Sequence, residues 1–137
     1  MHMPDSLESP HKGQSGIRRL INAFFYSLSG LTMAFRHESA FRQEMALAVV
    51  LIPAACLLPV GTVERVLLIA SVLLVLLVEL LNSSIEAAID RIGMDTHRLS
   101  KRAKDLGSAA VLVALAALLV TWALLAGPVV LRLAGLA

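Results

Sequence analysis

Three apolar segments separated by polar residues dominate the pattern along the chain. They cover about residues 45–60, 63–82 and 106–126. A spanning helix needs about 20 mainly apolar residues, so the pattern predicts three transmembrane helices. The first segment is short and contains Pro53, but neighbouring helices can satisfy the carbonyl that a proline leaves free. The second helix is expected to continue to about Ile92.

The segment 17–35 has a different, amphipathic pattern. Its apolar side chains recur every three or four residues, and most of its polar side chains lie elsewhere around the helix. This pattern predicts a helix lying in the membrane surface, with a packing helix free of lipid contact as the alternative. Residues 36–44 are expected to form a polar connector and residues 93–104 a basic loop.

The composition agrees with a membrane protein and narrows its partners. Hydrophobic residues make up 58% of the chain and the mean hydropathy is +0.79, both above the range of soluble domains. The net charge of +2 is small, and no pattern of aromatic and basic residues accompanies it, so we expect no nucleic-acid partner. Residues 1–15 are expected to form a disordered tail, and residues 16–137 a single membrane domain.

The cations predict an orientation. Only Arg65 and Arg132 fall on one side of the three predicted spans. The other side carries Lys12, Arg18, Arg19, Arg36, Arg42, Arg91, Arg98, Lys101, Arg102 and Lys104. Loops rich in Lys and Arg stay in the cytoplasm, so the N-terminus is predicted to be cytoplasmic and the C-terminus external.

A polar stripe begins at Glu79, near the end of the second predicted span. Asn82, Glu86 and Asp90 follow at steps of three, four and four residues, which places all four within an arc of about 80° on one helix face. Inserting a carboxylate into a bilayer costs roughly 2.5–3.5 kcal/mol, so such residues are usually functional. Glu79 lies roughly 24 Å along the helix from Val63, just beneath the cytoplasmic surface of a core about 30 Å thick.

The carboxylates near this surface suit phosphate chemistry. Glu38, Glu86 and Asp90 lie there with Lys104, and Mg²⁺ is usually held by one or two carboxylates together with phosphate oxygens. Phosphoryl transfer also needs a proton acceptor, a role that Glu79 could take toward a lipid hydroxyl. The alternatives are solvated interface charges without a function, and an ion or proton relay in a small transport or channel subunit.

Three segments closely resemble the prokaryotic diacylglycerol kinase family. They are Glu38-Ser-Ala-Phe-Arg-Gln-Glu44, Val78-Glu-Leu-Leu-Asn-Ser-Ser-Ile-Glu-Ala-Ala-Ile-Asp-Arg-Ile-Gly93 and Arg102-Ala-Lys-Asp-Leu-Gly-Ser-Ala-Ala110. The likeness covers about residues 16–126. It implies an all-α integral membrane protein of the bacterial inner membrane, assembled as a homotrimer with sites at the subunit interfaces.

The resemblance also implies an activity and residue roles. The activity is ATP-dependent phosphorylation of diacylglycerol to phosphatidic acid at the cytoplasmic face; a related branch phosphorylates undecaprenol, which is the alternative. Glu79 matches the proton acceptor, which also contacts the substrate, and Glu38 and Glu86 match carboxylates that bind Mg²⁺ and ATP. Further nucleotide contacts match Tyr26, Asp95, Thr96, His97, Lys104 and Asp105. Lipid contacts match Arg19 and Ser108, and supporting polar positions match Glu44, Asn82 and Asp90.

Overall fold

The computed structural model describes residues 16–93 and 97–136, and these residues form five helices. The helices are α1 (Gly16–His37), α2 (Ser39–Leu57), α3 (Thr62–Ile92), α4 (Arg98–Leu125) and α5 (Gly127–Leu133). The described residues contain no strand, so the all-α prediction is confirmed. Helices α2, α3 and α4 are long and apolar enough to cross a membrane, which agrees with the three predicted transmembrane helices.

A sharp break at Glu38 separates α1 from α2. Glu38 has an extended backbone, with φ −104° and ψ 112°. Arg42 Nη1 donates to the backbone oxygens of Phe35 and Arg36, at 3.2 Å each, and thereby satisfies carbonyls that the end of α1 leaves free. The predicted connector over 36–44 was therefore wrong everywhere except at Glu38, since α1 runs to His37 and α2 begins at Ser39. Its polar residues form the first turns of α2, which the buried side chain of Phe41 anchors.

Arg65 closes the turn between α2 and α3. Its guanidinium donates to the backbone oxygens of Ala55, Leu58 and Val60, at 3.2, 3.2 and 3.4 Å. These carbonyls lie at or just beyond the end of α2, where a helix carries partial negative charge. One of the two cations on the sparsely charged side is thus bound to a helix terminus.

Helix α3 is the centre of the fold and packs between α2 and α4. Its buried residues Leu68, Val72 and Val75 contact small side chains of both neighbours, among them Ala48, Ala55 and Ala114. Small residues of this kind let helices approach closely in a membrane. With 31 residues, α3 is about 46 Å long and exceeds a hydrocarbon core of about 30 Å. The prediction that it continues to Ile92 is confirmed, so its polar end projects from the apolar layer.

Helix α4 begins earlier than the sequence suggested. The backbone N–H of Leu99 donates to Nδ1 of His97 at 3.2 Å, so the imidazole caps a helix that starts at Arg98. The predicted basic loop over 93–104 was wrong from residue 98, because its Lys and Arg residues are good helix formers. Helix α4 ends before Gly127-Pro128 as predicted, but the short helix α5 that follows was not predicted.

Candidate functional site

Four carboxylates from α2, α3 and the break at Glu38 lie within electrostatic range of one buried member, Glu79. Glu79 is only 4% exposed. It interacts electrostatically with Glu38, Glu86 and Glu44. We call Glu38, Glu44, Glu79 and Glu86 the acidic cluster. Like charges held this close repel one another, so a bound cation or proton would stabilise the cluster.

The described part of the chain has two buried side-chain oxygens without a hydrogen-bond partner, and both belong to this region. They are Oε2 of Glu44 and Oδ1 of Asn82. Native proteins leave few buried polar atoms unsatisfied, and those few indicate strain, catalysis or a missing ion or ligand. Among the described residues, unsatisfied buried oxygens therefore occur only in and beside the acidic cluster.

Asn82 connects the polar stripe to helix α4. Its side chain is 9% exposed, and its Nδ2 donates to Oε1 of Glu86 at 3.4 Å. On the other side the amide lies against the buried Gly107, where a Cβ atom would overlap Oδ1. The resemblance had indicated Asn82 only as a supporting polar position. The structure gives it two specific neighbours, one on each helix.

Two ion pairs lie beyond the acidic cluster. Lys104 Nζ donates to Oδ1 of Asp90 at 2.6 Å, which joins α4 to the end of the polar stripe on α3. Lys101 Nζ donates to Oδ2 of Asp105 at 2.5 Å within α4. Both pairs are largely exposed, so their Coulomb energy is weakened by water. They place two cations and two carboxylates where a polyphosphate could approach from solvent.

Some predicted site residues lie apart from the acidic cluster. Arg19 and Tyr26 are exposed on α1, and Ser108 is exposed on α4 beside Gly107. Among the described residues, no hydrogen bond or ion pair joins Arg19 or Ser108 to the cluster. His97 caps α4. Asp95 and Thr96 lie outside the described residues.

A cavity of about 680 Å³ lies between α1 and α3 and reaches Glu38. Small side chains of both helices line it, namely Ser27, Gly30, Ala34, Ser83, Ser84 and Ala87. Sequence reasoning missed this cavity. Part of the signal was present in α1, where Ser27, Gly30 and Ala34 recur at steps of three and four residues and share one helix face of short side chains.

The carboxylates fit Mg²⁺ bound to a nucleotide better than a metal site made by protein alone. The described residues contain no group of three or more His, Cys, Asp or Glu side chains arranged to hold a metal. Mg²⁺ commonly takes one or two carboxylate oxygens and completes its octahedron with phosphate and water. Glu38 and Glu86, both half-buried beside Glu79, could supply those oxygens.

Comparison with known proteins gives a consistent result. Residues 25–126 match the sequence profile of the family described as prokaryotic diacylglycerol kinase. A Pseudomonas aeruginosa protein named diacylglycerol kinase is 58% identical over 115 residues, covering 84% of this chain and 94% of that protein. Its namesake in Escherichia coli K12 is 51% identical over 111 residues, covering 81% and 91%. One from Helicobacter pylori 26695 is 44% identical over 126 residues, covering 92% and 94%.

Proposed function

The chain belongs to the prokaryotic diacylglycerol kinase family, and we propose that it transfers the γ-phosphoryl group of ATP to diacylglycerol. The product is phosphatidic acid. The observation that carries this proposal is the buried carboxylate of Glu79, which stands among three other carboxylates near the end of an apolar spanning helix. The names of the relatives support diacylglycerol as the lipid, and no observation favours undecaprenol or ion transport.

Glu79 is the proposed general base. The hydroxyl oxygen of the lipid attacks the γ-phosphorus, its proton passes to the Glu79 carboxylate, and ADP leaves. Burial of Glu79 excludes water, which would otherwise compete for the phosphoryl group. Because Glu79 is 4% exposed, the lipid reaches it only when the side chain turns or the surrounding helices part. The cavity beside Glu38 offers a route for the glycerol end of the lipid.

Glu38 and Glu86 are the proposed ligands of Mg²⁺. The ion, when bound, would neutralise charge on the β- and γ-phosphates. Glu86 lies two helical turns beyond Glu79 on the same face. In this proposal Glu86 therefore binds the Mg²⁺ beside the phosphates, while Glu79 acts on the lipid hydroxyl. Glu38 reaches the same space from the break between α1 and α2. The two carboxylates thus come from separate elements that the fold holds together.

The remaining residue roles are proposed on the strength of the family membership. Tyr26, Asp95, Thr96, His97, Lys104 and Asp105 are assigned to the nucleotide, and Arg19 and Ser108 to the lipid. Asp90 holds the Lys104 ammonium at the edge of the stripe. Arg19 and Ser108 stand apart from the acidic cluster within one chain, and a homotrimer with sites between subunits would let different chains supply them.

The protein is a bacterial membrane protein, and we propose that it lies in the inner membrane with its N-terminus in the cytoplasm. The clustering of cations beside α1 and at the start of α4 supports this orientation. Single cysteines at positions 62 and 98, in a chain whose Cys56 is replaced by Ala, provide the test. An impermeant thiol reagent added to intact cells should label position 62. Labelling at position 98 alone would reverse the topology.

A lipid phosphorylation assay tests the activity. Purified protein in mixed micelles receives Mg²⁺, ATP labelled in the γ-phosphate, and either diacylglycerol or undecaprenol. We expect label in phosphatidic acid and much less in undecaprenyl phosphate. Preferential labelling of undecaprenol would show that undecaprenol, and not diacylglycerol, is the lipid substrate. If neither lipid is labelled and the protein conducts protons or ions in liposomes, the proposed function is wrong and the chain is a transport subunit.

A further inference from the structure

The requirement for glycine at position 107 comes from packing and not from backbone conformation. Among the described residues, only Gly135 has a φ in the left-handed region, so Gly107 has a backbone that any residue adopts in a helix. A Cβ atom at position 107 would nevertheless overlap the amide oxygen of Asn82 and approach its amide carbon at 3.3 Å. Gly107 is buried, and the space that a side chain would fill is already taken by Asn82.

This contact selects one of the two orientations of the Asn82 amide. The Nδ2 end donates to Glu86 Oε1 at 3.4 Å, and the Oδ1 end faces Gly107. Rotating the amide by half a turn would point its oxygen at the Glu86 carboxylate and lose that hydrogen bond. A glycine carries a Cα hydrogen where other residues carry Cβ, and such hydrogens are weak donors to a nearby oxygen. Gly107 therefore favours the orientation that serves Glu86.

We propose that Gly107 is a positioning residue, which orients Asn82 so that Asn82 holds the carboxylate of Glu86 toward the phosphates of ATP. The consequence for ATP rests on the proposed function, whereas the coupling of Gly107, Asn82 and Glu86 stands on contacts alone. At Asn82, helix α4 thus acts on the polar stripe of α3 through the absence of a side chain. Mutating a residue that hydrogen-bonds to a metal ligand typically changes metal affinity by about 10–100-fold. Substitution of Gly107 should therefore change the affinity for Mg²⁺-ATP.

Spectroscopy tests the coupling independently of any kinase activity. The chain contains two asparagines, Asn22 and Asn82, so asparagine-selective ¹⁵N labelling gives two side-chain amide groups. The Asn82→Ala variant identifies the signals of Asn82. Gly107→Ala and Glu86→Gln should each move those signals. Gly127→Ala, at the start of α5 and far from Asn82 along the chain, where a Cβ meets nothing within 4 Å, should leave them in place. Unmoved Asn82 signals in Gly107→Ala would overturn the proposal.

A double-mutant cycle tests the consequence for the reaction. Gly107→Ala should raise the KM for Mg²⁺-ATP by about tenfold, with a smaller change in kcat. The Asn82→Ala, Gly107→Ala double variant should have the KM of Asn82→Ala alone. Once the Asn82 amide is absent, the methyl group at position 107 has no amide to displace. Multiplicative effects would show that Gly107 acts without Asn82 and would contradict the proposal.

Two further outcomes keep the test decisive. If Gly107→Ala does not fold, the double variant should fold, since truncating Asn82 makes room for the new methyl group. An unfolded double variant would show that Gly107 packs against something else, and the proposal would fail. If Glu86→Gln leaves Mg²⁺-ATP affinity unchanged while the Asn82 signals still respond, the proposed role of Glu86 fails and the positioning by Gly107 stands.

Discussion

The buried polar groups at the two ends of the helix bundle are used in opposite ways. At the turn end, Trp122 Nε1 donates to the backbone oxygen of Leu68 at 3.3 Å, and Arg65 donates to three carbonyls. At the acidic end, Oδ1 of Asn82 and Oε2 of Glu44 are buried without partners. The turn end therefore uses its hydrogen-bonding capacity for stability. At the acidic end the oxygen of Glu44 is left for a ligand, and that of Asn82 lies against Gly107.

This contrast indicates where mutations should affect activity and where they should affect stability. A buried polar atom that lacks a partner destabilises the folded chain by about 1–3 kcal/mol. Substitutions of the carboxylates in the acidic cluster should therefore reduce turnover or affinity while leaving stability unchanged or higher. Substitutions at the turn end should reduce stability while leaving the turnover of folded protein unchanged.

The largest expected effect is that of Glu79→Gln. The substitution keeps shape and polarity but removes the proton acceptor, so turnover should fall by at least about a hundredfold, or about 2.7 kcal/mol in the barrier. Initial rates with saturating lipid and Mg²⁺-ATP measure this. Glu64→Gln, in the first turn of the same helix, is the matched control and should keep the parent turnover. Equal activity in both variants would remove Glu79 from the mechanism.

Arg65→Ala should have the next largest effect, and on stability alone. It leaves the carbonyls at the end of α2 without their charged donor, so the free energy of unfolding should fall by about 1.5–3 kcal/mol. Denaturant titration in detergent micelles measures the change, with turnover recorded below the transition. Arg132→Ala is the control, because the Arg132 guanidinium donates to Pro128 within its own short helix. A large loss of turnover in folded Arg65→Ala protein would break the division between the two ends.

Trp122→Phe should have a smaller effect of the same kind. It keeps an aromatic ring in the core but removes the N–H that bonds Leu68, so stability should fall by about 0.5–1.5 kcal/mol. The same titration measures it. If stability is unchanged, the indole bond contributes nothing and the turn end is held by apolar packing alone.

Lys101→Ala should have the smallest effect. The ion pair between Lys101 and Asp105 is exposed on one helix, and such pairs contribute little in water. Neither the unfolding midpoint nor the KM for Mg²⁺-ATP should change measurably. A marked rise in KM would mean that Lys101, and not only its partner Asp105, contacts the nucleotide.

The sequence predicted the parts of this fold that follow from periodicity. The apolar segments gave three spanning helices, and the spacing of Glu79, Asn82 and Glu86 placed them on one face of the second. The early starts of α2 and α4 were missed because their first turns are polar, and polarity alone does not distinguish a loop from the solvated end of a helix. His97 caps the start of α4 and Arg42 bonds the last carbonyls of α1 just before α2 begins. Both depend on contacts rather than on composition.

The details of the site depend on how the helices meet. The sequence shows small residues around Gly107, but it does not show that Asn82 lies against that glycine, since this requires the register between α3 and α4. The cavity between α1 and α3 depends likewise on the break at Glu38, where one residue with an extended backbone sets the direction of α2. Such features arise from pairs of elements, and the pattern within a single helix does not contain them.

The central claim is that Glu79 acts on the lipid whereas Glu86, further along the polar stripe of α3, binds Mg²⁺-ATP. It is tested most directly by calorimetric titration of Mg²⁺-ATP into the parent protein, Glu79→Gln and Glu86→Gln. The account predicts that Glu79→Gln binds Mg²⁺-ATP with nearly the parent affinity although its turnover is lost, because Glu79 acts on the lipid. Glu86→Gln should bind Mg²⁺-ATP more weakly by about tenfold or more. Lost nucleotide binding in Glu79→Gln together with retained binding in Glu86→Gln would contradict the account and reverse the two roles.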